Sequence, residues 1–359
     1  MRALPLLLLG LMGCQPEMSD MMGGDPMDAG EWDMPGEMSD GGMPLDAEAD
    51  LAEPLRINHV QMRGTVNSYH TVLHDFEPEL MGYIHLPLGE QASQQGIRFF
   101  DFDLIPDRRA GIDLDPAVTD HPSDDETQCI SWRWCLRELA DWMDAHPGHP
   151  LIVVMVGEAF LFATTHGLHY QLDDLEAAIN ASFALDRILT PAEVRGGYDS
   201  LREAITDSGW PTVEATRGKA MFILNDRALA RAAYILYGGL NRERPLLFRI
   251  GDPDHADDPH AGDEVVFTFE PELIDDPWYF DTDPADLDRI EALAAAGFLV
   301  HAISDAPEMI GRLRAAGAHF IGTRFPDAAF GAIPETGPTV CNPVTMPDGC
   351  GPGVIQRAN

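Results

Sequence analysis

The chain predicts an α/β fold, a closed (β/α) barrel in a single domain, and three observations point to it. Short apolar runs rich in Val, Ile and Phe alternate with longer amphipathic stretches, the pattern of βα units around a buried parallel sheet. Seven or eight such runs occur, enough to close a barrel. No Gly-rich nucleotide loop follows a strand, which weakens the alternative of an open doubly wound sheet. No internal sequence repeat is present.

Residues 1–14 join one positive charge to a short apolar run, too short to span a bilayer and suited to a cleaved export signal. Leu11, Met12, Gly13 and Cys14 resemble a bacterial lipobox, so Cys14 is the expected lipidation site and new N-terminus; the alternative is an ordinary signal peptide with an incidental cysteine. Residues 15–54 carry twelve acidic residues and no Lys or Arg, a composition that builds no core and extends by self-repulsion as a disordered acidic tether. The remainder, residues 55–359, has the length of one large α/β domain.

Within that domain the strand candidates are residues 59–63, 97–104, 151–156, 219–225, 245–250, 265–270, 298–303 and 319–323. Helices are placed between them by apolar spacing. Cys135, Leu136, Leu139, Trp142 and Met143 form one stripe on a helix that begins after a Ser131 cap and stops before Pro147 and Gly148. Ile290, Leu293 and Ala294 form another ended by Gly297, and Met309, Ile310, Leu313 and Ala316 a third ended by Gly317.

Charge narrows the partners. The domain carries 22 Lys and Arg against 48 Asp and Glu, a field that disfavours nucleic acid and repels anionic headgroups. A phosphodiester substrate would need a divalent cation to reverse the local sign. The four remaining cysteines fall into two close pairs, Cys129 with Cys135 and Cys341 with Cys350, which suits two local disulfides in an oxidising compartment. The spacings lack zinc-site form.

In a barrel, side chains just past the strand C-termini converge on one mouth. There the sequence places Asn67, Asp101, Asp103, His121, Glu158, Asn225, Asp226, Asp305 and Arg324. Asp101 and Asp103 are two apart on a strand and so face one space. Their mutual repulsion calls for a cation, and with an Asn carbonyl and a Glu they make an all-oxygen set suited to calcium or magnesium. His70 and His74, just after the loop that follows the first strand candidate, and His301, near a strand end, are alternatives as a base. The cluster Asp252, Asp254, His255, Asp257, Asp258, His260 and Asp263 invites a metal reading, but its irregular spacing reads as a solvated loop.

Residues 58–70, NHVQMRGTVNSYH, resemble the active-site loop of the calcium-dependent phosphoinositide phospholipase C-like family of phosphodiesterases. The resemblance continues through Gly96 to Asp103, His121 and Pro122, residues 125–129, Cys135 and Leu136, residues 146–150, 189–191, 201–204 and 209–212, residues 217–219, and Cys341 to Pro343. It implies a distorted TIM barrel that cleaves phosphoinositides by attack of the inositol 2-hydroxyl on phosphorus, aided by two histidines and calcium. Carried over by position, Asn67, Asp101 and Asp103 are calcium ligands and His121 is the histidine that protonates the leaving oxygen. Lys219 and Arg324 are the cationic candidates for substrate binding.

The departures fall on functional positions. Val66 stands where the first histidine belongs and can neither accept nor donate a proton. Strict counting gives Val156 at the usual glutamate ligand, and a two-residue shift gives Glu158. Arg324 stands where an aspartate is usual, and Val300 to Asp305 lacks the basic residues usual there. The expected function is a phosphoric diester hydrolase of this type, exported and lipid-anchored in the bacterial cell envelope, at the outer membrane. The alternatives are a degenerate barrel that binds a headgroup, sugar or protein partner at the old mouth, and a phosphodiesterase akin to glycerophosphodiesterases with an altered base.

Overall fold

The computed structural model describes residues 54–71, 82–105, 117–118, 127–129, 131–157, 168–225, 245–257, 261–270, 281–351, 355–356 and 359. The chain divides into Met1–Leu51, which lies outside the described residues with the expected signal, Cys14 and tether, and Ala52–Asn359.

All eight expected strands form. They are β1 (Val60–Thr65), β2 (Ile97–Ile105), β3 (Ile152–Gly157), β4 (Ala220–Asn225), β5 (Leu247–Gly251), β6 (Glu264–Phe269), β7 (Leu299–Ile303) and β8 (Phe320–Thr323). Each pairs in parallel with the next, and β1 pairs in parallel with both β2 and β8, so the sheet closes on itself. Closure removes the sheet edges that an open parallel sheet would expose. A short strand, Val340–Cys341, pairs antiparallel with the start of β1.

Strand alternation sorts the apolar side chains into two populations. Met62, Phe99, Val153, Met155, Met221, Ile223, Phe248, Ile250 and Phe320 fill the barrel interior. Phe100, Phe102, Val154, Val156, Phe222 and Leu224 point the other way, into the layer under the helices. There they meet α1 (Trp132–Ala145) and α2 (Leu168–Ser182), while α4 (Leu287–Ala295) and α5 (Pro307–Ala315) cover β6 to β8; the short α3 (Leu201–Asp207) packs beside β6. Burying both faces is why these strands read as nearly continuous apolar runs.

The helix ends follow the sequence closely. After α4, Gly297 adopts φ 88°, Phe298 N–H donates to Leu293 O and Gly297 N–H to Ala294 O. Gly317 closes α5 in the same way, with Ala318 N–H on Leu313 O and Gly317 N–H on Arg314 O. The left-handed glycine lets the chain reverse and satisfy carbonyls the helix leaves open. Ser131 does occupy the N-cap of α1, but its hydroxyl makes no capping bond. The cysteines pair as expected: Cys129 with Cys135 and Cys341 with Cys350, at Cα separations of 5.2 and 5.8 Å.

Candidate active site

The β1 strand delivers Val66 and Asn67 to the mouth. Val66 N–H donates to Thr323 O of β8, and Ser68 N–H donates to Asp101 O of β2, so the loop is held between its two neighbours. Ser68 Oγ accepts from Asp101 N–H at 2.9 Å and bonds Thr65 Oγ1 at 2.7 Å. Asn67 has φ 45°, a left-handed backbone that Asn tolerates better than other side chains with a Cβ, and such strain concentrates at functional sites.

Asp101 and Asp103 share the inward parity of Phe99, so both carboxylates face the mouth. Gly157, at the end of β3, lets them approach closely: a Cβ there would lie 3.5 Å from Asp103 Oδ1 and 3.2 Å from Asn225 O. Val156 packs in the outer layer with Phe102 and Leu224, so counting to Val156 as the lost ligand misses the pleat. The inward residue at that height is Gly157, and Glu158 follows it outside the described residues. Asn67, Asp101 and Asp103 carry oxygen donors of the chemical type that a hard divalent cation takes. Among the described residues no group of three or more His, Cys, Asp or Glu side chains converges for a metal.

Across the mouth lies a network that the sequence reading did not assemble. Glu270, just past β6, accepts from Asn225 Nδ2 at 3.1 and 3.2 Å and from Thr268 Oγ1 at 2.9 Å. His301 Nδ1 lies 2.9 Å from Thr268 Oγ1 and 3.2 Å from Glu270 Oε1. Burial works to raise the Glu270 carboxyl, but the hydrogen bond and charge of His301, with the bonds from Asn225 and Thr268, hold it below the usual carboxylate range. The His301 ring is fully buried, stacked on Phe99 at 4.5 Å.

Arg324 and Asp305 also come together. Asp305 Oδ2 takes the Arg324 Nε–H at 2.6 Å, Oδ1 takes the Arg324 N–H at 2.8 Å and the Thr323 hydroxyl at 3.0 Å, and the guanidinium lies 5.7 Å from the Tyr83 ring centroid. Tyr83 in turn stacks on His70 at 4.4 Å. His85 donates its Nε2–H to Val66 O at 2.9 Å, and burial depresses its imidazole to about 4, keeping it neutral.

Lys219 is not brought to this mouth. It precedes β4, at the end of that strand opposite Asn225, and its ammonium pairs with Glu193 at 2.6 Å. His121, Glu158, His74 and Asp226 lie outside the described residues, although Thr127 bridges to His70 and Gln128 N–H donates to Tyr69 O, against the β1 loop. In the acidic and histidine-rich loop, His255 pairs with Asp252 and Asp254 pairs with Arg289 of α4. Glu270 was legible by the same strand-end rule that found Asn225, since it closes its apolar run. His85 and Tyr83 carry no signal in the sequence.

A family model described as "Phosphoinositide phospholipase C, Ca2+-dependent" matches residues 118–330, more than half of the chain. The chain belongs to this family. Among solved structures, a Ca2+-dependent phosphatidylinositol-specific phospholipase C from Streptomyces antibioticus aligns at 18% identity and TM-score 0.54, over 77% of this chain and 97% of that one. A calcium-dependent phosphoinositol-specific phospholipase C from a Gram-negative Pseudomonas sp aligns at 13% identity and TM-score 0.55, over 80% and 95%. At these identities the likeness establishes the shared barrel. No curated protein matches the chain.

Proposed function

We propose that this family member is a calcium-dependent phosphoric diester hydrolase acting on a phosphoinositide or a related phospholipid headgroup. The observation that carries the reading is the pair of inward carboxylates, Asp101 and Asp103, beside the strained Asn67 loop and a glycine, Gly157, in close contact with Asp103. Asn67, Asp101 and Asp103, with Glu158, would hold the calcium. When bound there, calcium offsets negative charge on the phosphoryl oxygens, which this acidic chain could not otherwise accept.

The chain's own residues supply the rest. Arg324, held by Asp305 just past β8, is the cation proposed to meet a phosphate oxygen. His121 is the proton donor to the leaving alcohol by family resemblance. Ile84 and Phe325 flank the mouth and are 53% and 41% exposed, which suits a substrate met at a lipid surface. Cys14 is the proposed lipid anchor and residues 15–54 the spacer, which would hold the barrel at a bacterial envelope membrane.

The test is release of soluble headgroup from a panel of phospholipid vesicles in calcium and in chelator. Calcium-dependent release supports the hydrolase. Binding of inositol phosphate without turnover of any phosphodiester favours the degenerate binding barrel.

A further inference from the structure

Position 66 leaves the mouth without the histidine that the family resemblance places there. The hydrogen-bond network at the ends of β6 and β7 holds another imidazole close to the same point. Thr268 spends its hydroxyl proton on Glu270 Oε1, so the contact of 2.9 Å between Thr268 Oγ1 and His301 Nδ1 is made by a proton on Nδ1. With that proton on Nδ1, Nε2 is the ring's acceptor whenever the imidazole holds a single proton. That nitrogen is buried and has no hydrogen-bond partner among the described residues. A buried acceptor left unmade costs roughly 1–3 kcal/mol, and such atoms call for an explanation in function or solvent.

The position of Nε2 supplies the explanation. A Cβ built on Gly322 of β8 would lie 2.8 Å from Val66 Cγ2, 3.2 Å from Ile303 Cγ2 and 3.3 Å from His301 Nε2. His301 Nε2 and the Val66 side chain thus meet over one glycine, one arriving from β7 and the other from β1. A side chain at position 322 would be driven into both, so the glycine is what lets them approach. Around the ring stand Phe99 from β2, Thr268 and Glu270 from β6, and Gly322 from β8; of these Glu270 alone titrates.

We infer that His301, oriented by Glu270, is the proton acceptor for the attacking hydroxyl in this mouth, in place of a histidine at position 66. The inference rests on the hydrolase reading above. The hydroxyl proton passes to His301 Nε2, through one water or past a rotated Val66 side chain, as the hydroxyl oxygen forms its bond to phosphorus. The bond from phosphorus to the leaving alcohol oxygen breaks, its electron pair stays on that oxygen, and a proton from His121 neutralises it. The Glu270 carboxylate stabilises the imidazolium until its proton returns to solvent. Glu270 is a positioning residue here, holding the tautomer that leaves Nε2 free.

The experiment measures kcat, KM and calcium affinity of the full chain on phosphatidylinositol vesicles, for the native protein, His301→Gln, Glu270→Gln and the double variant His301→Gln with Val66→His. His301→Gln should lower kcat about 10²- to 10⁴-fold with calcium affinity unchanged. Glu270→Gln should lower kcat less and move the acid limb of the pH–rate profile to lower pH, since the imidazolium loses its counter-charge. Returning an imidazole to position 66 in the double variant should restore much of the lost rate, which a merely structural role for His301 would not allow. A folded His301→Gln protein with native kcat overturns the inference and leaves the hydrolase intact. So does a double variant that binds calcium and recovers nothing. If His301→Gln does not fold, an unchanged kcat and pH profile in Glu270→Gln overturns it instead. A native protein that turns over no phosphodiester in calcium removes the hydrolase reading first, and this inference with it.

Discussion

At the scale of single residues, the mouth is decided by which side chain points inward at each strand end. Asp101→Asn and Asp103→Asn together keep the shape of β2 but remove both formal charges, so calcium binding followed by calorimetry should fall below detection while the unfolding midpoint holds or rises. Gly322→Ala sets a methyl 2.8 Å from Val66 Cγ2 and 3.3 Å from His301 Nε2, so denaturant titration should show a loss of about 1–3 kcal/mol, with lower activity. The carboxylate pair was legible because alternation on one strand is a local property. The link from Glu270 to His301 was not, because it depends on the register that sets Thr268 against His301 across two strands, and no local pattern states that register. Val156 shows the same limit: counting along the chain cannot tell that the pleat turns it outward beneath the helices and leaves Gly157 facing Asp103.

At the scale of elements, the apolar runs found every barrel strand because parallel strands buried on both faces have no polar alternation to hide them. Their ends shifted by a residue or two where neighbours extend the ladder. The β1 strand continues to Thr65, past the expected end at 63, because Gly64 and Thr65 pair with Phe99 and Phe100 on one side and Gly322 and Thr323 on the other. The disulfide between Cys129 and Cys135 belongs to this scale. It ties the first turn of α1 to the segment whose Thr127 and Gln128 lie against the β1 loop. Replacing both cysteines with Ser should cost about 2 kcal/mol, the loop-closure entropy of a loop this short, read as a lower denaturation midpoint. Because the segment behind it approaches the mouth, KM should rise as well.

For the whole molecule, stability should depend on pH through three buried imidazoles. His85, His149 and His319 are depressed to about 4 from an ordinary 6.5, in each case chiefly by burial. His319 Nδ1 accepts from Val300 N–H and its Nε2 donates to Asn58 O, so protonation would break the first of these bonds inside the barrel wall. Each group binds a proton more readily unfolded than folded, so its contribution is full above about pH 6.5 and is lost as pH falls from there towards 4. Denaturant titrations at pH 7 and pH 5 should therefore differ by several kcal/mol, on the order of one per pKa unit per site. The formal charge of −37 adds self-repulsion, so moderate salt should raise the midpoint and calcium should raise it further through Asp101 and Asp103.

The central claim is that this acidic barrel performs calcium-dependent phosphodiester cleavage, and the most direct measurement is headgroup release from phosphatidylinositol vesicles by the full chain. Release in calcium that stops on chelation, and that the Asp101→Asn, Asp103→Asn protein lacks, is the result the account predicts. No release in calcium, or release that neither chelator nor those substitutions affect, would contradict it.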